Sequence, residues 1–290
     1  MIEYHADDYG LFPEQSRRIL DTIKNGVCNG ISIMPNSSCL DQCMEMLFEL
    51  DPERKIRISL HLNLVEGAAL ADPGQISMLI DKKGLFCNSF EKLFILSFLP
   101  GRNQLKKQIE TEFAAQIRRC KPYLKDSKIS LDSHTHIHMI PLVFTAMINA
   151  AQKENAEIER IRIPSEQWKA YQVQNGRLKG KKIINYLKAM LLNVCAWWNC
   201  RRYSSEEWIK RKCVFAGVLC SGRMDSDVIE NIVPNLIRIA ERNKSDLELL
   251  FHPGGVYENK DLETLTFYPD RVFLSDSNRR IEAEALKYKG

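Results

Sequence analysis

Short apolar runs rich in β-branched and aromatic residues alternate along this chain with longer amphipathic segments. The runs cover residues 2–5, 30–34, 55–64, 128–133, 159–163, 214–219, 247–251 and 271–274. Between them, residues 13–25, 105–124, 142–155 and 227–242 carry apolar positions at helical spacing. Alternation of this kind predicts parallel strands joined by crossover helices, the α/β class. Seven or eight strands in 290 residues match a parallel (β/α) barrel. Pro141 is expected just inside a helix start, where a missing N–H costs little. Asn25-Gly26 and Asn29-Gly30 read as turns before the second strand. No Pro/Gly-rich linker divides the chain, so residues 1–290 read as one domain.

Two segments depart from the alternation. Residues 64–100 contain Gly67, Pro73, Gly74, Gly84 and Pro100 and read as a long irregular insertion. Residues 168–202 are basic and partly helical, with Trp197-Trp198 near the end. The plain expectation there is a packed amphipathic helix with a solvated basic face and the paired tryptophans in the core. A lid and a membrane-surface contact are the other readings. Both insertions follow strands that bear, or lie beside, polar clusters, so both are expected near a substrate mouth.

Composition narrows the functional classes. Hydrophobic residues make up 44% and charged residues 27%, which excludes a disordered chain. A net charge of +4 without a concentrated basic face argues against a nucleic-acid partner. The apolar stretch 183–198 is interrupted by Asn185, Lys188 and Asn193 and falls short of the roughly 20 apolar residues of a spanning helix. No stable membrane insertion is therefore expected. The nine cysteines are odd in number and form no Cys-x-x-Cys, so reduced thiols in a cytoplasmic protein are expected.

All six histidines (His5, His61, His134, His136, His138 and His252) fall in or just after a predicted strand. Strand one ends His5-Ala6-Asp7-Asp8-Tyr9-Gly10, and the third ends Ser59-Leu60-His61-Leu62-Asn63. The fourth ends Asp132-Ser133-His134-Thr135-His136-Ile137-His138, and the seventh ends Phe251-His252-Pro253-Gly254-Gly255. In a parallel barrel the C-terminal strand ends form one face, so these clusters should converge.

Adjacent strand residues face opposite sides, so Asp7 and Asp8 can serve one site only if the strand breaks, and Gly10 is the expected break. A surface turn or helix cap is the ordinary role of a lone Asp pair. Alternating histidines buried without a ligand would be costly, which favours metal binding at His134-x-His136-x-His138. His61 alone would more often be hydrogen-bonded structure than a ligand. Its strand-end place reverses that. His252 looks like a general acid on a tight loop whose glycines admit close backbone approach to a ligand, against the plainer reading of an ordinary polar loop residue.

These motifs, with Arg162-Ile163-Pro164, Phe215-Ala216-Gly217, Ser221-Gly222-Arg223-Met224 and Arg279-Arg280-Ile281-Glu282, occur in order over nearly the whole chain. The sequence closely resembles the YdjC-like carbohydrate deacetylases, the family of chito-oligosaccharide deacetylase and hopanoid-biosynthesis deacetylase. The resemblance implies an irregular barrel like that of polysaccharide deacetylases. It implies Asp8, His61 and His134 as ligands of one divalent ion, Mg2+ or Zn2+, with Asp7 as catalytic base and His252 as acid. Asp132, His136 and His138 would orient the ligands from behind. The family often reads Gly-Leu-Ser where this chain has Gly10-Leu11-Phe12-Pro13, so the cap of the first helix should differ.

The activity so implied is removal of an N-acetyl group from a sugar of the N-acetylglucosamine type, or from an oligosaccharide, with acetate released. The partner is an N-acetylated sugar, and a homodimer is left open. Two rivals remain: another metal-dependent hydrolase such as a phosphoesterase with two ions, and a non-catalytic sugar-binding barrel.

Overall fold

The structure, a computed structural model, describes residues 1–171, 183–211, 213–257 and 271–287. Seven apolar runs form parallel strands: β1 (Ile2–Tyr9), β2 (Gly30–Ile33), β3 (Arg57–Leu62), β4 (Lys128–Ser133), β5 (Glu157–Ile161), β6 (Cys213–Ala216) and β7 (Asp246–Phe251). Their order in the sheet is β5-β4-β3-β2-β1-β7-β6. The eighth candidate is corrected: Arg271–Leu274 is a short helix. A four-residue apolar run has too little length for its period to separate strand from helix.

Helices cross between the strands: α1 (Pro13–Lys24), α2 (Leu40–Leu50), α3 (Phe90–Leu96), α4 (Arg102–Cys120), α5 (Pro141–Lys153), α6 (Ile183–Arg202), α7 (Glu207–Lys210), α8 (Ser226–Asn231) and α9 (Val233–Asn243). A C-terminal helix, Asn278–Lys287, packs on α1. Pro141 opens α5 as expected. Residues 227–242 were expected as one helix, but the chain breaks at Ile232. Pro234 lacks the N–H that would continue the earlier helix, so it starts a new one. α1 carries no side-chain cap at Phe12; instead the hydroxyl of Ser16 accepts from the Gly10 N–H at 2.9 Å.

The apolar core fills the space between the strands and the helices, with Ile31, Ile33, Leu60, Leu131, Phe113 and Phe144 all buried. The concave side of the sheet is polar. Glu3, His5 and Asp7 alternate along β1 and share that side, as period two requires. Gly30 of β2 is needed beside them: a Cβ there would lie 2.7 Å from both Glu3 Oε1 and His5 Nδ1.

The sheet curls so far that its edges nearly meet. Glu166, just after β5, bridges in parallel to Phe215 of β6. The buried Glu166 Oε1 accepts from the N–H groups of Gly217, Val218 and Leu219 at 3.0, 2.8 and 3.0 Å, and Tyr171 donates to Oε2 at 2.5 Å. One carboxylate thus closes the barrel where no ladder does.

The insertion 64–100 is irregular, with a tight turn at Pro73–Gln75, α3, and two antiparallel bridges. Buried polar side chains hold it: Glu112 of α4 accepts from Leu70 and Ala71, and Asn88 donates to the Leu64 and Leu79 carbonyls. In the insertion 168–202, the part 172–182 lies outside the described residues. The rest is α6, and its outer face corrects the expectation. Trp197 and Trp198 are 62% and 54% exposed, not core. All nine cysteines are free thiols. Among the described residues no helix is long and apolar enough to cross a membrane.

Glu166→Ala would strand three buried backbone donors and Tyr171. It should lower unfolding free energy in urea by about 3 kcal/mol or more, with Glu166→Gln intermediate. A loss within about 0.5 kcal/mol, the range of ordinary surface changes, would show that the clamp is dispensable.

Candidate metal centre

Asp7 and Asp8 reach one site because β1 is irregular where they sit. Between Ala6 and Tyr9 the register against β2 slips by a residue, and Asp8 takes a left-handed φ of 66°. The break expected at Gly10 therefore begins two residues earlier, as a bulge that re-aims a side chain. After β4 the chain turns again, with left-handed φ at Thr135 and His136.

Asp8, His61 and His134 are all buried and offer ligand atoms within 4.8 Å of one another. Asp8 Oδ1 lies 3.4 Å from His61 Nε2 and 3.1 Å from His134 Nδ1. Each imidazole is backed by a carboxylate on its far side. His61 Nδ1 donates to Asp132 Oδ1 at 2.7 Å, and His134 Nε2 faces Glu66 Oε1 at 3.3 Å. The remaining nitrogen of each ring, His61 Nε2 and His134 Nδ1, is directed at Asp8. That is the carboxylate–histidine pairing that orients metal-binding imidazoles.

The electrostatics fit a cation. Burial alone would raise the pKa of Asp8, but hydrogen bonds and charge from His134 and His61 hold it well below the usual range. Burial would lower the pKa of His61, yet Asp7 and Asp132 push it up to about 9. Positive charge between these carboxylates is favoured, whether carried by ring protons or by an ion. Asp7 lies beside the triad, its Oδ2 held by Arg162 Nη1 at 2.9 Å. Its other oxygen, Oδ1, is buried, lies 3.7 Å from His5 Nε2 and accepts no hydrogen bond among the described residues.

Beneath the triad the barrel interior is an ion lattice. Arg162 Nη1 also lies 3.0 Å from Asp132 Oδ2, and its Nε donates to Glu248 Oε1 at 2.5 Å. Arg160 pairs with Glu3 and Glu248 at 2.8 and 2.6 Å. Ser32 donates to Asp132 Oδ2 at 2.5 Å, and His5 lies between Ser32 and Glu3 at 2.7 Å from each.

The triad opens into a cavity of about 410 Å3. Asp7, Asp8, His61, His134, His136 and His252 line its floor and walls; Asn88, Phe90 and Glu91 of the first insertion and Asn185, Lys188 and Leu192 of α6 complete it. The volume falls within the range of small-ligand sites.

These observations decide the relationship. A family profile described as YdjC-like protein matches residues 2–289. The chain belongs to the YdjC-like family. It is similar to a protein named carbohydrate deacetylase from Mus musculus, at 26% identity over 157 residues, 54% of this chain and 48% of that one. It is also similar to a protein of the same name from Thermoanaerobacter pseudethanolicus, at 25% over 163 residues, 56% of this chain and 61% of the other. The matches thus span only about half to three fifths of those relatives. A crystal structure of an Enterococcus faecalis protein, described as a cellobiose-phosphate cleavage protein, superposes with a TM-score of 0.62 at 16% identity. It covers 99% of this chain and 90% of its own, and establishes a shared fold.

This YdjC-like chain brings together Asp7, Asp8, His61, Asp132 and His134, but distributes the remaining histidines otherwise. His138 is buried and does not back a ligand: Ser133 donates to its Nδ1 at 2.6 Å and its Nε2 donates to the Arg162 carbonyl at 2.8 Å. Burial lowers its pKa to about 4, so it stays neutral. His136 stands on the cavity wall, edge-on to Phe215, its Nδ1 without a hydrogen-bond partner among the described residues and its pKa well lowered by burial and the Arg162 charge. His252 also lines the cavity, its ring against Phe273 and its pKa lowered by burial against the pull of Asp8 and Glu282. Its backbone is fixed from the C-terminal helix, where Glu282 accepts its N–H at 2.5 Å and Arg279 donates to its carbonyl at 3.2 Å.

The glycines after His252 do not serve ligand approach as expected: a Cβ on Gly254 would strike Gln15 of α1 at 2.4 Å, so that glycine admits a helix. Glu66 escaped the sequence reading. Its signal was a carboxylate five residues past His61, just before a glycine with positive φ, in otherwise apolar surroundings.

Arg162→Gln would leave Asp7, Asp132 and Glu248 without their shared buried cation. The expected loss of unfolding free energy is about 3–5 kcal/mol, the scale of a broken buried pair. A variant of wild-type stability in urea would contradict this role.

Proposed function

We propose that this YdjC-like protein is a hydrolase that removes the N-acetyl group from a carbohydrate of the N-acetylglucosamine type, dependent on one divalent ion held by Asp8, His61 and His134. The observation that carries the reading is Asp8 set between two imidazoles, each backed by its own carboxylate, with the unbonded Asp7 Oδ1 beside them in an open cavity. The similarity to proteins named carbohydrate deacetylase supports the same chemistry. Three protein ligands leave coordination positions for substrate, as a catalytic site needs. A divalent ion such as Mg2+ or Zn2+, when bound, supplies a Lewis acid that polarises the amide carbonyl and eases deprotonation of water.

The chain's own groups then divide the proton work. Asp7, pinned through Oδ2 by Arg162, takes the proton of the attacking water on Oδ1. His252, whose backbone is held by Glu282 and Arg279 at the cavity, delivers a proton to the sugar nitrogen as the C–N bond breaks. Acetate and a free amine leave. Asp132 and Glu66 keep the two imidazoles in the tautomers that face Asp8.

A two-ion phosphoesterase fits less well. Among the described residues, the other carboxylate and histidine groups that could bind a second ion, Glu3–His5–Glu248 and His5–Asp7–Asp132, are already paired with Arg160 and Arg162.

Acetate release from a panel of N-acetylated sugars, with and without chelator, tests the proposal directly. Activity should vanish on chelation and return with one metal equivalent per chain. Asp7→Asn should keep the metal while the rate falls about 10²-fold or more, the scale of a lost general base. Release of the metal would instead make Asp7 a ligand. His134→Ala should lower metal content and activity by roughly 10-fold or more, beyond the effect of a backing carboxylate; full occupancy by elemental analysis would refute the ligand assignment.

A further inference from the structure

α6 is apolar on both sides. Its inner side buries Ala189, Leu192, Cys195 and Ala196 against the barrel. Its outer side exposes Ile183, Leu187, Met190, Val194 and Trp197 in one stripe at helical spacing, with Trp198 beside them. Exposure reaches 80% at Ile183, where solvated polar residues would ordinarily stand. Such a continuous apolar stripe on a surface helix marks a contact with something outside the chain.

Charge identifies what that something is. Between Glu166 and Glu206 the sequence holds eight Lys and Arg residues and no carboxylate, in a chain of net charge +4 overall. Lys188, Arg201 and Arg202 are exposed on α6 itself, and Arg201 lies 5.9 Å over the Trp197 ring. An apolar stripe bearing tryptophan, in a stretch of sequence whose charged residues are all basic, suits the boundary between anionic headgroups and acyl chains. A second copy of this chain would bring like charges together at the same face.

We propose that the outer face of α6 docks on an anionic lipid bilayer, lying in its surface without spanning it. The same helix supplies Asn185, Lys188 and Leu192 to the cavity wall, so docking brings the mouth of the site to the headgroup layer. Ile95, Phe98 and Leu99, at the end of the insertion whose Phe90 and Glu91 also line the cavity, are a second group of exposed apolar side chains. Glu91 of that insertion and Lys188 of α6 both line the cavity, which brings the two segments together at its mouth.

Flotation of the full chain with phosphatidylcholine vesicles, with and without phosphatidylglycerol, tests the proposal. The protein should float with the anionic vesicles and scarcely with the neutral ones, and its tryptophan emission should shift to the blue on binding. Arg201→Gln with Arg202→Gln should weaken binding about tenfold or more, because each basic residue near an anionic surface contributes roughly fivefold. Leu187→Gln with Trp197→Gln, both at exposed positions, should abolish it while urea unfolding is unchanged. Failure to float with anionic vesicles, or binding indifferent to both double variants, would overturn the proposal. So would a concentration-dependent dimer in sedimentation velocity that the Leu187 and Trp197 changes dissolve. None of these readouts depends on deacetylase activity.

Discussion

Arg162 is the fixed positive charge around which the site is arranged. Its guanidinium reaches Asp7, Asp132 and Glu248 at once, in a position fully withdrawn from water. Parallel barrels are ordinarily filled by layers of branched aliphatic side chains. Here the concave side of the sheet holds Glu3, His5, Asp7, Ser32, Asp132, Arg160, Arg162 and Glu248. Burying these charges costs desolvation that mutual pairing offsets only with good geometry, so the arrangement is better understood as specifying positions than as adding stability. Through Asp132 the order set by Arg162 passes to His61, and its direct contact fixes Asp7 beside the triad.

The neighbouring carboxylates of β1 are thereby divided between two kinds of cation. Asp7 answers to a permanent one, the guanidinium. Asp8 answers to the imidazoles His61 and His134, whose positive charge is exchangeable. A regular strand would place these side chains on opposite faces, one in the barrel and one among the helices. The bulge at Asp8 removes that conflict at the expense of a left-handed non-glycine backbone, a strain expected where function and regular structure compete.

Strand order of appearance, helix starts such as Pro141 and the convergence of four strand-end clusters were legible because each depends on local periodicity or on the direction shared by parallel strands. The partners of those clusters were less so. Glu66 meets His134, and Glu248 meets Arg160 and Arg162, only after the barrel curls, and nothing local in the sequence pairs them. His136 and His138 share the motif of His134, but the left-handed turn at Thr135 and His136 ends the alternation that would have aligned all three rings. The apolar run at Arg271–Leu274 was too short to declare its period. α6 failed differently: a helix apolar on every side gives no indication of which side is buried.

The polar residues interrupting α6 resolve that ambiguity. Asn185 donates to the Leu219 carbonyl at 3.2 Å and Asn199 to the Met139 carbonyl at 2.9 Å, while Asn193 accepts from the Glu166 N–H at 3.0 Å. These three backbone sites follow β6, β4 and β5, so α6 is fastened across the strand ends where Glu166 closes the barrel. Asn185 and Asn193, which keep the helix from being a long apolar span, are therefore among the residues that fix its inner side to the barrel. Once they are satisfied there, the outer side can only be the stripe from Ile183 to Trp197. The helix that walls the cavity is held to the barrel by hydrogen bonds, and an apolar stripe on its other side is left facing outward.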